Sequence, residues 1–443
     1  MMNRSIICFV LFLLGLMTEA AYGKKKTTKH DKTAKPIQEY LYVWTGSDSG
    51  DYVAVVDFCR DSSTYGTILN KAPLTESPTR STVGNEAHHS LVFTTPQGKT
   101  VLVTGGLLSF LNPDNKTDEV FLWDLSIPGQ PQLVASYNLP GGCADEINPY
   151  RNGVLVSMMC DDNAGSPGKI AYVDFETGYT SDWTNSSDLV DFNPHGFDLN
   201  PASGFLFTVD YVLPYTLLPE YLPTVFRNTA RRFDLNRSTR ALDHVFNMSD
   251  DNPGGMMDFR FIPGTTEGYV CGTSSNLMYY VNASSNDSPT FVYDLALING
   301  GVKLLSAGIV RYSQSGKWMF MTYGRRYLVM WNIKHRLNVK PIFTYDFCEQ
   351  YVTGTESFNC TNNLPGAHYV YLTPNEDRLV VVTYFLKFGV LTNQDALSVA
   401  VFNLNQKVTK SGTAVGPPKV SYDSSFSLNF SPDRPHSVQS LTV

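Results

Sequence analysis

The most constraining feature of this chain is a recurring unit of two short strands joined by a turn. A small or polar residue opens a strand, and a glycine or aspartate turn follows nine residues later. His89 precedes Gly98 in this way, Ala144 precedes Gly153, His195 precedes Gly204, Ala307 precedes Gly316 and His368 precedes Asp377. A weaker copy runs from Met256-Met257 through Phe259-Arg260-Phe261 to Gly268-Tyr269-Val270, and a truncated one begins at Pro435-His436. Neighbouring copies lie roughly 50 to 70 residues apart, the range of propeller blades with inserted loops. An apolar strand follows each turn, as in Val154-Leu155-Val156, Phe205-Leu206-Phe207-Thr208, Trp318-Met319-Phe320-Met321 and Leu379-Val380-Val381-Val382. Between the copies lie further strands. Phe121-Leu122-Trp123-Asp124 and Ile170-Ala171-Tyr172-Val173-Asp174 end on Asp, while Leu328-Val329-Met330-Trp331-Asn332 and Val399-Ala400-Val401-Phe402-Asn403 end on Asn.

No apolar stripe of helical period persists over a helical length, so the chain reads as all-β. Seven copies predict a seven-bladed β-propeller, in which blades bury their edges against one another and ring closure protects the ends. The C-terminal copy completes a blade begun by N-terminal strands near Tyr40 to Phe58. A pair of β-sandwiches is the competing arrangement, and it does not account for the recurring spacing. One propeller domain is expected over residues 39–443, after a flexible Lys/Thr-rich tail over 24–38.

Residues 1–23 read as a secretory signal: Arg4, an apolar run from Ile6 to Met17, and Ala21-Tyr22-Gly23 as the cleavage site. That run is short for a membrane span and no later segment is long and apolar enough, so no span is expected once the signal is removed. A secreted or secretory-lumen protein should carry disulfides and glycans. Six cysteines follow the signal: Cys59, Cys143, Cys160, Cys271, Cys348 and Cys360. Sequence does not fix their pairing; Cys348–Cys360, closing a polar loop, and Cys143–Cys160, across one hairpin, are the local candidates, and Cys271 suits a buried thiol. Glycosylation sequons begin at Asn115, Asn185, Asn236, Asn247, Asn282, Asn286, Asn359 and Asn429. The net charge of −7 excludes nucleic acid as the expected partner.

In a propeller the first strand of each blade lines the central channel, so residues at its start converge on one mouth. His88 or His89, His195, His368 and His436 stand at that register. His30 lies in the tail, and His244 and His335 in the outer part of the pattern, where surface positions are expected. Neutral imidazoles near one axis suit a transition metal, copper above all. Glu86 and Asp145 stand ready to ligate it or to orient an imidazole, and Cys143, if reduced, to add a soft ligand. The plainer alternative is a channel of hydrogen-bonded histidines around ordered water. Other chemistries find little here: there is no Gly-x-Ser-x-Gly and no phosphate-binding glycine loop, and Asp191, Asp198 and Asp210 form no evident pair. Arg231-Arg232 and Arg325-Arg326 read as solvated loop charges.

Several of these segments resemble, in order, the selenium-binding protein family, which includes methanethiol oxidases. Asn85-Glu86-Ala87-His88-His89-Ser90 resembles its acidic-His-His segment, and His195-Gly196-Phe197-Asp198 its Gly-Tyr-Asp segment. Asp258-Phe259-Arg260-Phe261, Gly268-Tyr269-Val270-Cys271-Gly272, Val120-Phe121-Leu122-Trp123-Asp124 and Pro435-His436-Ser437-Val438 also have counterparts. The resemblance implies a seven-bladed propeller with a copper site of histidines at the channel. It also implies oxidation of methanethiol by oxygen and water to formaldehyde, hydrogen sulfide and hydrogen peroxide. It makes His88, His89 and His436 metal ligands. Where the family has His-Thr-x-His, this chain has Asp145-Glu146-Ile147-Asn148. Asp145 or Cys143 can fill that position, or His195 or His368 from neighbouring blades. The family's cysteine-rich segment linked with selenium is unmatched, only Cys59 lying in that part, so selenium binding is not carried over. The expectation is therefore a secreted, copper-dependent thiol oxidase whose partners are a small thiol and O2. In it His88 and His89 act at the metal and Glu86 orients an imidazole. A propeller that kept the scaffold as a non-catalytic binding module is the alternative.

Overall fold

Strands in the middle of this fold are apolar on both faces because each sheet is packed between two others. Tyr52–Asp57, Gly153–Cys160 and Trp318–Tyr323 are buried at every residue. Outer strands such as Gln132–Tyr137 and Lys340–Asp346 instead alternate exposed with half-buried positions, as half-solvated edges do. The computed structural model describes residues 38–443 except 76–85, 109–117, 186–188, 236–240, 249–253, 306, 351, 354–355, 358–359, 361–363, 387–395, 408, 410–414 and 427. The signal, all but the last residue of the tail, and the sequons at Asn115, Asn236 and Asn359 fall outside the described residues.

Seven antiparallel sheets form a ring, a seven-bladed β-propeller, with one further two-stranded ribbon. Blade 1 is built from both ends of the chain. Its innermost strand is Arg434–Thr442, followed outward by Glu39–Gly46, Tyr52–Asp57 and Ile68–Pro73. The closing ladder pairs Tyr42 with Gln439, Val43 with Val438 and Trp44 with Ser437. The inner strands of blades 2, 3 and 4 are Ala87–Thr94, Gly142–Tyr150 and Pro194–Asn200, and those of blades 6 and 7 are Ala307–Tyr312 and Ala367–Leu372. Blade 5 has three regular strands, from Glu267 to Asp294; its inner segment is held by a single bridge from Met256 to Gly272. This is the weak copy of the sequence pattern, and its weakness is physical.

In five blades the Asp or Asn ending the third strand caps a turn. Asp57, Asp124 and Asp174 accept the backbone N–H of the residue two positions on, at 3.0, 2.6 and 3.0 Å. Asn282 and Asn332 do the same at 3.1 and 3.2 Å. These are Asx turns, which hand the chain to the outer strand.

The paired arginines are not solvated charges, which corrects that expectation, and only Arg325 and Arg326 lie in a connecting turn, between Trp318–Tyr323 and Tyr327–Asn332. Arg231 and Arg232 lie in the strand Thr229–Asp234, buried, where they meet Asp210 at 2.8 Å and Asp243 at 2.5 Å. Arg325 is buried, and Arg326 forks onto both oxygens of Asp346. A strand that must bury a cation supplies it with a carboxylate on the neighbouring strand, which sequence spacing does not reveal.

One buried carboxylate has little compensation. Asp51 accepts from the Ser47 N–H at 3.1 Å, but its Oδ2 has no partner. Burial pushes its pKa up to about 7. Between pH 4 and 7 the folded chain therefore keeps a proton that the unfolded chain has lost, so this group's contribution to stability falls as pH rises through that window. Asp51→Asn should remove that slope and stabilise the protein by about 2 kcal/mol at pH 8, after the cost of burying the new amide. Urea unfolding at pH 5 and 8 checks this, and a variant with the wild-type slope refutes it.

Candidate metal centre

The site exists because the inner strands bulge at one level. A regular strand points successive side chains to opposite faces, so His88 and His89 should diverge. The ladder instead skips from Ala87 to Ser90, and the same skip occurs from Ala144 to Ile147, Pro194 to Phe197 and Ala307 to Val310. In blade 7 it leaves out His368, and in blade 1 His436. A bulge inserts an unpaired residue and re-aims its side chain. Here the bulged residues are His88-His89, Asp145-Glu146, His195-Gly196, Gly308-Ile309, His368 and His436.

The five histidines thus meet, all buried. The His88 and His89 rings stack at 4.6 Å, His436 lies 3.9 Å from His88, and His368 lies 5.3 Å from His436. One ligand atom each from His88, His89 and His436 fall within 4.8 Å of one another, and so do atoms of His88, Asp145 and His195. Asp145 Oδ2 takes hydrogen bonds from His88 Nε2 at 2.8 Å and contacts His195 Nε2 at 3.1 Å. Glu146 Oε2 receives His89 Nδ1 at 3.0 Å. An ionised carboxylate only accepts, so these contacts place the imidazole protons on the bonded nitrogens. The opposite nitrogens, His88 Nδ1, His89 Nε2 and His195 Nδ1, are buried without a hydrogen-bond partner, as are both nitrogens of His368 and His436.

Electrostatics follow from that geometry. Burial alone would raise Asp145, but His195, His88 and His89 hold it well below the usual carboxylate range. Glu146 is likewise driven up by burial and brought well below that range by Arg260 and His89. Burial lowers His88, takes His195 down to about 4, and drives His368 and His436 well below the ordinary value. His89 is the exception: burial lowers it, but Asp145 and Glu146 outweigh that and raise it.

Buried imidazoles around a carboxylate, with burial favouring the neutral form at His88, His195, His368 and His436, are the donor set that copper, zinc or iron takes. Seven unpartnered buried imidazole nitrogens are also costly unless something else satisfies them. The residues present therefore fit a metal. The structure brings together His88, His89, His436, His195, His368 and Asp145. Cys143 is close, lining the same cavity, but it is bonded to Cys160 and offers no thiolate, which corrects its place among candidate ligands. Glu86 is corrected as well: its hydrogen bonds run to the Tyr384 hydroxyl and to Arg434 Nε at 3.3 Å, so it braces the strand entrance and leaves imidazole orientation to Asp145 and Glu146.

Glu146, Arg260 and Tyr384 are the residues that sequence reading passed over. A signal for Glu146 was present. Aligning Ala87 with Ala144, in place of counting back from the turn, puts Asp145-Glu146 on His88-His89. The turn of blade 2, at Thr95 to Gly98, is longer than that of blade 3, at Arg151-Asn152, and displaces the count.

Above the imidazoles lies a narrow cavity of about 30 Å3. Its walls are apolar, with Leu107, Leu108, Met159, Leu217, Phe385 and Leu386 prominent.

No protein-family model matches the chain, and no curated protein matches it. Solved structures do. A hypothetical selenium-binding protein from Sulfolobus tokodaii aligns over 91% of this chain and 94% of its own, at TM-score 0.70 and 16% identity. The periplasmic gluconolactonase of Pseudomonas aeruginosa aligns over 91% and 99%, at TM-score 0.55 and 14% identity. At such identities the likeness is one of fold.

Proposed function

We propose that this chain is a secreted, selenium-binding-protein-like thiol oxidase in which His88, His89 and His436 hold copper, with His195, His368 and Asp145 as further ligands. Its reaction on this reading is that of methanethiol with oxygen and water, giving formaldehyde, hydrogen sulfide and hydrogen peroxide. The observation that carries the proposal is the convergence of His88, His89 and His436, with buried nitrogens that nothing else pairs. Copper, when bound, supplies a one-electron couple and a soft acceptor for sulfur. The chain's own groups do the positioning. Asp145 fixes the His88 and His195 rings, Glu146 fixes the His89 tautomer, and the apolar walls exclude water and charged molecules. The name of the Sulfolobus tokodaii neighbour agrees with this reading. Secretion is supported by the two disulfides, Cys143–Cys160 and Cys348–Cys360, and by exposed sequon asparagines at 185, 247, 286 and 429. Among the described residues no helix is long and apolar enough to cross a membrane.

Metal analysis of the secreted protein tests the proposal. The wild type should contain stoichiometric copper, and His88→Ala/His89→Ala should lose it. Formaldehyde and hydrogen sulfide should appear on adding methanethiol to the wild type alone. Wild-type protein without stoichiometric copper would sink the oxidase reading. The second reading, a non-catalytic binding propeller, is favoured by Asp145 and Asn148 standing where the family has histidines; stoichiometric metal with no thiol consumption would support it.

A further inference from the structure

The Cys143–Cys160 disulfide stands in a different setting from its fellow. Cys348 and Cys360 are half-buried, in the chain following blade 6. Cys143 and Cys160 are both fully buried, and Cys143 lines the cavity that His88, Asp145, His195 and His368 also line. The bond joins strands already held by their own ladder, with Gly142 paired to Cys160 and Ala144 to Met158 across a tight hairpin. Cys143 also has a φ of 60°, a left-handed conformation that a side chain other than glycine adopts at a cost. Apart from this bond, the apolar walls hold nothing that reacts with a thiol.

We infer that Cys143–Cys160 is a redox-active disulfide that accepts electrons from small thiols entering the cavity. The inference rests on the reading that this cavity admits a small thiol. A first thiol RSH attacks the Cys143 sulfur. The Cys143–Cys160 bond breaks, an RS–S bond to Cys143 forms, and the proton ends on the Cys160 sulfur as a thiol. A second RSH attacks the bound RS sulfur, RSSR leaves, and Cys143 becomes a thiol. Two thiols have been oxidised and one disulfide reduced. Dioxygen restores the bond, taking two electrons and the two thiol protons to become hydrogen peroxide. Thiol–disulfide exchange passes through a mixed-disulfide intermediate, and of the two sulfurs' residues only Cys143 belongs to the cavity wall, so attack is directed there. The product is a dialkyl disulfide, which distinguishes this activity from cleavage of the thiol to formaldehyde and hydrogen sulfide.

The test begins with the full-length secreted protein held anaerobically with methanethiol, quenched in acid, alkylated and digested. The expected result is a Cys143 peptide carrying CH3S and an alkylated Cys160, while glutathione, large and charged, leaves this bond intact. In air, the wild type should form dimethyl disulfide, and Cys143→Ala/Cys160→Ala should lose at least about tenfold of that rate while keeping its copper. An intact Cys143–Cys160 bond after methanethiol treatment overturns the inference. Should the double variant fail to fold, the wild-type trapping decides alone. The two readings fail separately. Trapping at Cys143 in protein without copper leaves this inference standing and removes the metal reading. Copper and formaldehyde production with the bond intact do the reverse.

Discussion

A chain ending at Asp433 should not yield a cooperatively folded protein. The missing segment, Arg434–Val443, contains the whole inner strand of blade 1, paired with Glu39–Gly46 from Thr442 to Arg434. It is also the seam of the ring. Ser437 bonds Ser90 at 2.8 Å and Gln439 reaches the Ser90 carbonyl at 2.7 Å, tying blade 1 to blade 2. Val438 is fully buried, and Arg434 braces Glu86 at the strand entrance. Ladder bonds contribute about 1 kcal/mol each, and the buried side chains add to that. The sum, on the order of 10 kcal/mol, matches the whole net stability of an ordinary domain. The exposed edge of Glu39–Gly46 would then invite pairing with other chains. The shortened protein should be lost from secretion or aggregate, and should show no sigmoidal melt by circular dichroism. A cooperative transition within a few degrees of the wild type would show that the ring holds without its seam.

The register of that seam was legible in the sequence because the strand at Pro435-His436 matches the openings of the other blades. Strand positions were legible too, since blades sandwiched between blades demand apolar runs, and the Asp or Asn at the third-strand ends marks a turn that requires it. The convergence of His88, His195, His368 and His436 followed from repeat position alone. What pattern could not give was direction. His88 and His89 share one space because the backbone bulges there, and a bulge is a backbone event with no residue signature. Side-chain pairing was hidden for a similar reason. Asp145 touches His88, and Glu146 touches Arg260 across 114 residues of sequence, through contacts that ring geometry creates. Arg231 and Arg326 looked solvated because their carboxylate partners lie on adjacent strands.

Replacing Arg260 should be the most damaging single substitution near the site, for reasons of charge more than of metal. Its guanidinium contacts the Glu146 carboxylate, lies 3.3 Å from Asp258 and donates to the Phe197 carbonyl at 2.5 Å. Asp258 keeps other support, from the Phe259 and Val310 N–H groups at 2.9 and 2.8 Å and from Arg311 at 3.7 Å. Glu146 keeps His89 Nδ1 at 3.0 Å and the Ile147 N–H at 3.2 Å, but burial pushes its carboxyl up and Arg260 is the chief group opposing that, ahead of His89. Arg260→Met therefore strands a buried carboxylate, a loss of about 3–5 kcal/mol. Glu146→Gln added to Arg260→Met should recover part of it, about 1–2 kcal/mol, because the stranded charge is gone. Neither change repairs the other effect. His89 depends on Glu146 for its tautomer, so metal affinity should fall roughly 10- to 100-fold in the double variant, where that carboxylate is gone. Urea midpoints and metal titration of the three proteins separate the two effects. Equal stabilities in wild type and Arg260→Met would mean that Glu146 finds its compensation elsewhere. An unchanged metal affinity would mean that His89 needs no carboxylate to hold its ring.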